Sequence, residues 1–531
     1  MSLSSFGRWT LGVGRWAFLL FFFAALPVVA LGQSAPNDRQ VVVVVWDGMR
    51  PDFMTEQNTP ALWQLARDGV NFRHHHSVYP TATNVNGAAI ATGVYPNRNS
   101  LLANREYRPQ IDPLKVFENA EPAVIKKGDE VTGGKYLATP TIAEIVRGAG
   151  RSTAIVGTKA VAFLHDRHAE WTSATSKDAF TKFAAAPMPA SLRAETLKLL
   201  GPFPTASGNT GNERSSYAVR ALTEILWREG LPAFSLLWLN EPDQTQHDFA
   251  PGAEASLAAV RSSDRNLALV LDAIAKKNAR ETTDVLVVSD HGFSTIERGI
   301  DFPETLRAAG FDAVTSFKDK PKAGQIMVVG NGGTVLFYVI GHDRAVTMRL
   351  VEWLQHSDFA GVIFAREKFE GTFPLESVHA NTADAPDVMV AMRWNPKPNQ
   401  FGVPGQLITD SARGAGQGSH ASLSEFDVHN TLVAAGPDFQ HGVASDVPSA
   451  NVDIAPTVLH ILGVQTPNKF DGRVLSEAMN GRFTQPEPLS KTLEANCKFS
   501  AGEWRQHLRV SLVGETLYLD EGNGSFSDGG K

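Results

Sequence analysis

The sequence predicts an α/β fold with a mainly parallel central sheet sandwiched by helices. Three observations carry that prediction. Continuous apolar, β-branched runs recur along the chain, as strands buried on both faces require. Helical patterns fall between them, the alternation that βαβ units produce. Polar residues able to do chemistry follow several runs directly, and in such sheets ligands collect beyond the carboxyl ends of the strands.

In chain order, residues 1–32 read as a secretory signal peptide. Arg8 and Arg15 precede an uncharged run from Trp16 to Leu31. The run is short for a membrane span, which needs ~20 residues. Ala30-Leu31-Gly32 fits a small-x-small cleavage site. The expected location is therefore periplasmic or secreted, with no membrane partner beyond export. Gln40–Trp46 (QVVVVVW) is the first buried strand; Thr153–Val156, Ala233–Leu239 and Asp284–Ser289 supply others. Helical patterns run over Thr59–Asp68, Pro140–Ala149, Ser216–Glu229 and Leu257–Lys277. Residues 33–480 are expected to form one catalytic domain. Segments of about 105–135, 163–214 and 366–418 break the alternation and read as insertions forming a cap or lid. Residues 481–531 read as a polar, frayed C-terminal tail.

Composition narrows the function. The 531 residues are 43% hydrophobic and 20% charged, ordinary globular usage. Lys and Arg number 49 against 56 Asp and Glu, a formal charge of −7. A mildly acidic chain argues against binding nucleic-acid duplexes through a basic face. It leaves room for a small phosphorylated substrate. The single cysteine, Cys497, excludes an intrachain disulfide and any multi-cysteine metal site.

Asp and His residues cluster where the strands end. Asp47 follows the first strand in WDGMR, and Asp290-His291 follow another in VVSDHGF. Asp243 and His247 lie in EPDQTQH at i, i+4, a spacing that puts both on one face of a helical turn. His420 stands in GQGSHAS. Carboxylates and imidazoles without a thiolate suit zinc, with manganese or iron as substitutes. Each piece alone has a plainer use: an Asp after a strand is commonly a turn former or cap. In YPTATNVNGAAIATGVYPNRNSLLAN, residues 79–104, Thr81 and Thr83 precede a small-residue run that reads as a helix. A hydroxyl there meets free N–H groups and the positive end of a dipole.

At these residues the sequence resembles the alkaline phosphatase superfamily, and within it the type I phosphodiesterase/nucleotide pyrophosphatase family. The motifs are WDGMRPD, the 79–104 segment with NREYRP after it, EPDQTQH, SDHGF, GQGSH, VDIAPTVLHILG and DGRVL, over roughly residues 38–475. The resemblance implies an alkaline phosphatase-like sheet and a two-step in-line displacement through a phospho-threonine intermediate. It implies two divalent metal ions, zinc foremost. One would be held by Asp243, His247 and His420, the other by Asp47, Thr83, Asp290 and His291. Thr83 would be the nucleophile and Thr81 its minor rival. Asn104 and the backbone N–H near residue 84 would bind a nonbridging oxygen. Tyr107 would line the pocket, with Tyr79 and Phe163 as further aromatic candidates. The sequence departs from the pattern after Thr83, which Asn84-Val85-Asn86 follow. In VGTKAVAFLHD, Lys159 stands where relatives that cleave monoesters carry the first of two cationic residues, and Val161 stands at the second. Lys159 is thus either a substrate-binding cation or a solvated lysine at a strand end. The alternative function is a phosphomonoesterase or phosphonate hydrolase of the same superfamily.

Overall fold

Five consecutive valines, Val41–Val45, leave the first strand no polar face, so it can sit only inside a sheet covered on both sides. The computed structural model of the chain describes residues 38–167, 190–204, 210–481 and 485–528. The expected signal peptide and much of the 163–214 segment lie outside the described residues. The central sheet has seven strands: β1 Gln40–Trp46, β2 Val70–Phe72, β3 Thr153–Gly157, β4 Phe234–Leu239, β5 Thr283–Val288, β6 Leu432–Ala435 and β7 Val443–Ser445, in the order β7-β2-β6-β5-β1-β4-β3. β1 runs parallel to β4 and β5, and β3 is parallel to β4. β6 alone is reversed, antiparallel to both β5 and β2.

Alternation along β1 divides the core. Val41, Val43 and Val45 pack with Ala88 and Ile90 of the helix Thr83–Thr92, and with Ile142 and Leu459. Val42, Val44 and Trp46 pack on the other face with Leu62 and with Val260, Leu267 and Val270 of the helix Glu254–Lys276. The helix Ile142–Gly148, within the pattern Pro140–Ala149, is opened by a capping box between Thr141 and Glu144.

Two segments differ from the sequence reading. Residues 366–418 include Val388–Met392, which lies in a second, six-stranded sheet between Thr334–Val339 and Ala360–Ala365. They also supply Trp394–Pro398 and Pro404–Asp410 to a third sheet. The prolines that made this segment look irregular fall at strand ends and edges. In the third sheet Gly418–Ser419 pairs with Ser294–Thr295, which carries His420 next to the end of β5. The tail is also ordered: Leu489–Phe499, Gly502–Val513 and Thr516–Asp528 form a three-stranded antiparallel sheet. Its inward residues include Trp504, Leu508, Val510 and Tyr518, all buried.

Candidate active site

The site lies at the carboxyl ends of β1, β3, β4 and β5. Asp47 is the residue after β1. Its Oδ2 accepts a 2.8 Å bond from the indole of Trp238, the residue paired with Val45 across to β4. Gly48 turns the chain at φ +73°, and a Cβ there would come within 3.0 Å of Asp243 Cβ and Phe293. Its N–H donates to Asp290 Oδ1 at 3.0 Å, and the Asp243 N–H donates to the Asp47 carbonyl at 2.9 Å. Glycine thus lets three strand ends meet at one point.

Asp243 opens the short helix Asp243–Phe249, and His247 follows one turn later, with Nε2 3.2 Å from Asp243 Oδ1. His420 Nε2 lies 3.5 Å from the same oxygen. His291 Nε2 lies 3.5 Å from Asp47 Oδ1 and 3.3 Å from Asp290 Oδ2. Two triads result, Asp243/His247/His420 and Asp47/Asp290/His291, each with ligand atoms within 4.8 Å of one another.

Both triads fit divalent cations. All three histidines place Nδ1 against a backbone carbonyl: His247 on Gly418 at 3.0 Å, His420 on Thr81 at 2.8 Å and His291 on Gly292 at 2.9 Å. That anchoring turns the Nε2 lone pair inward, as metal-binding histidines require. Burial lowers the pKa of His291, and lowers that of His420 well below the ordinary value, so both rings present lone pairs. Asp243 Oδ1 and Asp290 Oδ2 are buried without a hydrogen-bond donor. Buried oxygens facing imidazole lone pairs are costly unless a cation lies between them.

Lys159 is not a solvated strand-end residue. Its Nζ donates to Asp243 Oδ2 at 2.8 Å, Asp47 Oδ1 at 2.9 Å and Thr83 Oγ1 at 3.2 Å, bridging the triads. Burial works against its charge, but Asp243, Asp47 and Asp290 outweigh burial and raise its pKa. Burial alone would raise Asp243; the Lys159 ammonium holds it well below the usual carboxylate range. Burial and the Asp290 charge hold Asp47 well above that range. Burial pushes Asp290 up to about 7 against the pull of Lys159.

Thr83 is the first residue of its helix, buried, with Oγ1 3.3 Å from His291 Nε2. Thr81 is committed elsewhere: its hydroxyl donates to the Ser422 carbonyl at 2.9 Å. Asn104 accepts the Asn84 N–H on Oδ1 at 2.7 Å, which leaves its amide protons as the donors it can offer. Tyr107 is packed edge-on against Phe317 and Tyr338, and its hydroxyl donates to the Pro113 carbonyl at 3.0 Å. Tyr79 and Phe163 are likewise buried in apolar clusters, so these three aromatics have the surroundings of core residues. The sequence reading passed over the Trp238 indole that orients Asp47. Its signal was a tryptophan in the strand register beside the Asp47 segment.

The family model described as type I phosphodiesterase / nucleotide pyrophosphatase matches residues 41–395. A venom phosphodiesterase of Naja atra is 22% identical over 262 residues, covering 48% of this chain and 26% of its own length. The chain thus spans about a quarter of the length of that relative. The bis(5'-adenosyl)-triphosphatase enpp4 of Xenopus laevis is 21% identical over 84% of this chain and 83% of its own. Human ectonucleotide pyrophosphatase/phosphodiesterase 5 superposes with a TM-score of 0.57 at 17% identity, over 83% of this chain and all of that one. The murine counterpart, an inactive threonine-to-alanine variant in complex with AMP, gives 0.56 at 15% identity over the same shares. The fold is α/β and alkaline phosphatase-like.

Proposed function

The chain belongs to the type I phosphodiesterase/nucleotide pyrophosphatase family, and from that premise we propose that it is an exported, metal-dependent hydrolase of phosphodiester or nucleotide pyrophosphate bonds. The observation that carries the reading is the convergence of two His/Asp triads on Thr83 at a helix N-terminus. Asp243, His247 and His420 would hold one divalent ion; Asp47, Asp290, His291 and Thr83 would hold the other, with zinc the best match to the donor set. When bound, such ions supply Lewis-acid stabilisation of the attacking and leaving oxygens.

The chain's own residues do the rest. Thr83 Oγ1 loses its proton to solvent and forms a bond to phosphorus as the bond to the leaving oxygen breaks on the opposite side, the leaving oxygen taking up a proton from solvent. The first-turn N–H groups and helix dipole favour the negative charge gathered there. The Asn104 amide donates to a nonbridging oxygen, a contribution of ~10²–10³ in rate for one such donor. Water then cleaves the phosphoryl–Thr83 bond and restores the hydroxyl. Thr81 orients His420 through its carbonyl and takes no part in bond formation.

One observation favours a second reading. Lys159 Nζ, 3.2 Å from Thr83 Oγ1, stands where a cation would meet the extra charge of a phosphomonoester or phosphonate. The test is a paired rate comparison on the zinc-loaded chain with bis-p-nitrophenyl phosphate and p-nitrophenyl phosphate. A kcat/KM higher on the diester by ~10², about 2.7 kcal/mol of transition-state preference, supports the phosphodiesterase reading. A monoester preference that disappears in Lys159→Ala moves the protein to the second.

A further inference from the structure

Away from the candidate active site, three more metal-ligating side chains meet. His76 lies on the short strand His75–His76, His429 follows the helix Glu425–Val428, and Asp520 lies on the strand Thr516–Asp528. One ligand atom from each lies within 4.8 Å of the others. The backbones of His76 and His429 form an isolated antiparallel bridge, so the two rings are held side by side, with centroids 4.6 Å apart.

His76 repeats the arrangement of the three active-site histidines. His76 Nδ1 lies 2.9 Å from the Ser449 carbonyl, which directs Nε2 at Asp520 Oδ1, 3.1 Å away. Ser511 Oγ donates to both Asp520 oxygens, at 2.9 and 3.2 Å, and fixes the carboxylate. Zinc bonds of ~2.0–2.1 Å at tetrahedral angles put ligand atoms ~3.3 Å apart. His76 and Asp520 already stand at that spacing, and His429 has at most ~1.5 Å to close. His75 is no competitor, since both its ring nitrogens are engaged, by Ser449 Oγ and Asn451 Oδ1. His76 is buried, whereas His429 and Asp520 are half-buried, which leaves an ion a path from solvent. On that side the exposed His74 ring stands edge-on to His429 at 6.4 Å, within reach of a fourth position after a rotamer change.

We propose that His76, His429 and Asp520 form a separate site for a zinc-class divalent cation, which ties the last strand of the C-terminal sheet to the segments carrying the two histidines. The rival is a plain His76–Asp520 ion pair, which needs no metal.

Metal content of the full chain, stripped with chelator and dialysed against Zn²⁺, decides between them. The double variant Asp47→Asn/Asp243→Asn, in which both active-site triads are disabled, keeps one zinc per chain, and adding Asp520→Asn removes it. In the otherwise unaltered chain, Asp520→Asn and His429→Gln each lower zinc content by one equivalent with turnover unchanged, and Co²⁺ absorption loses the matching component. Unchanged zinc in both single variants, or no zinc in the double variant, overturns the proposal. Should the double variant not fold, the single variants still decide. Because the readout is metal content, failure of the catalytic reading leaves this test intact.

Discussion

Replacing Lys159 with methionine keeps the volume of the stem and removes one charge. Three buried carboxylates, Asp47, Asp243 and Asp290, share that single ammonium. Lys159 Nζ makes two charge-assisted bonds below 3 Å, to Asp47 and Asp243. Breaking a buried pair by removing one partner costs ~3–5 kcal/mol. The Lys159 side chain is 30% exposed, so the lower end, ~3 kcal/mol, applies to the metal-free chain. In the metal-loaded chain the cations compensate the same carboxylates, and the loss should be far smaller. The thermodynamic cycle then requires metal affinity to rise by the difference, up to ~10²-fold. The assay is urea unfolding of chelator-treated and zinc-loaded protein, paired with zinc titration against a competing chelator. Equal destabilisation with and without zinc, or weaker zinc binding in Lys159→Met, would refute the reasoning and make Lys159 a partner of the loaded site.

Thr83→Ala should abolish turnover by at least ~10⁴-fold, as loss of a covalent nucleophile does, with metal content within error of the parent chain; near-full activity would refute the nucleophile assignment. Burial pushes Asp284, whose backbone partner is Asp438, up to about 8. Its folded value lies above its unfolded one, so the folded chain binds more protons between about pH 4 and 8. Stability contributed by this group is full below that window and lost as pH rises through it, by at most ~1.4 kcal/mol per unit. In Asp284→Asn this contribution to the pH slope is expected to vanish in urea titrations from pH 5 to 9. Trp504 is fully buried and its indole donates to the Gly371 carbonyl at 3.0 Å; Trp504→Ala should cost ~3–5 kcal/mol in denaturant unfolding.

The candidate ligand residues were nominated in the sequence by the family resemblance, since each taken alone has a plainer use. Asp47 and Asp290 come at the end of valine-rich runs, and Asp243 and His247 share a helical spacing, which placed them at strand ends without fixing their use. The groups that aim them were not legible. His291, His247 and His420 are held by the carbonyls of Gly292, Gly418 and Thr81. A carbonyl is present on every residue, so no side-chain pattern marks those that matter. Lys159 was ambiguous for a related reason: a lysine after a strand reads the same whether it faces water or three carboxylates brought from other strands. The His74-His75-His76 run gives no local sign of its partners, because Ser449, Asn451 and Asp520 all come more than 370 residues later.

The C-terminal sheet carries a strand period with a polar residue at one of its inward positions. Along Gly502–Val513 the buried positions alternate as Trp504, Gln506, Leu508 and Val510, with Arg505, His507 and Arg509 between them. Gln506 is a polar residue at an inward position. In the fold its amide works as a strand segment would. Oε1 accepts the Ile363 N–H at 2.8 Å and Nε2 donates to the Ile363 carbonyl at 3.1 Å. Ile363 lies in Ala360–Ala365 and pairs with Val390 on its other side. A buried backbone pair without partners would be costly, and one glutamine satisfies both groups while its neighbours Trp504 and Leu508 fill the core beside them. The polar residue at an inward position is therefore the one that lets this sheet close over the second.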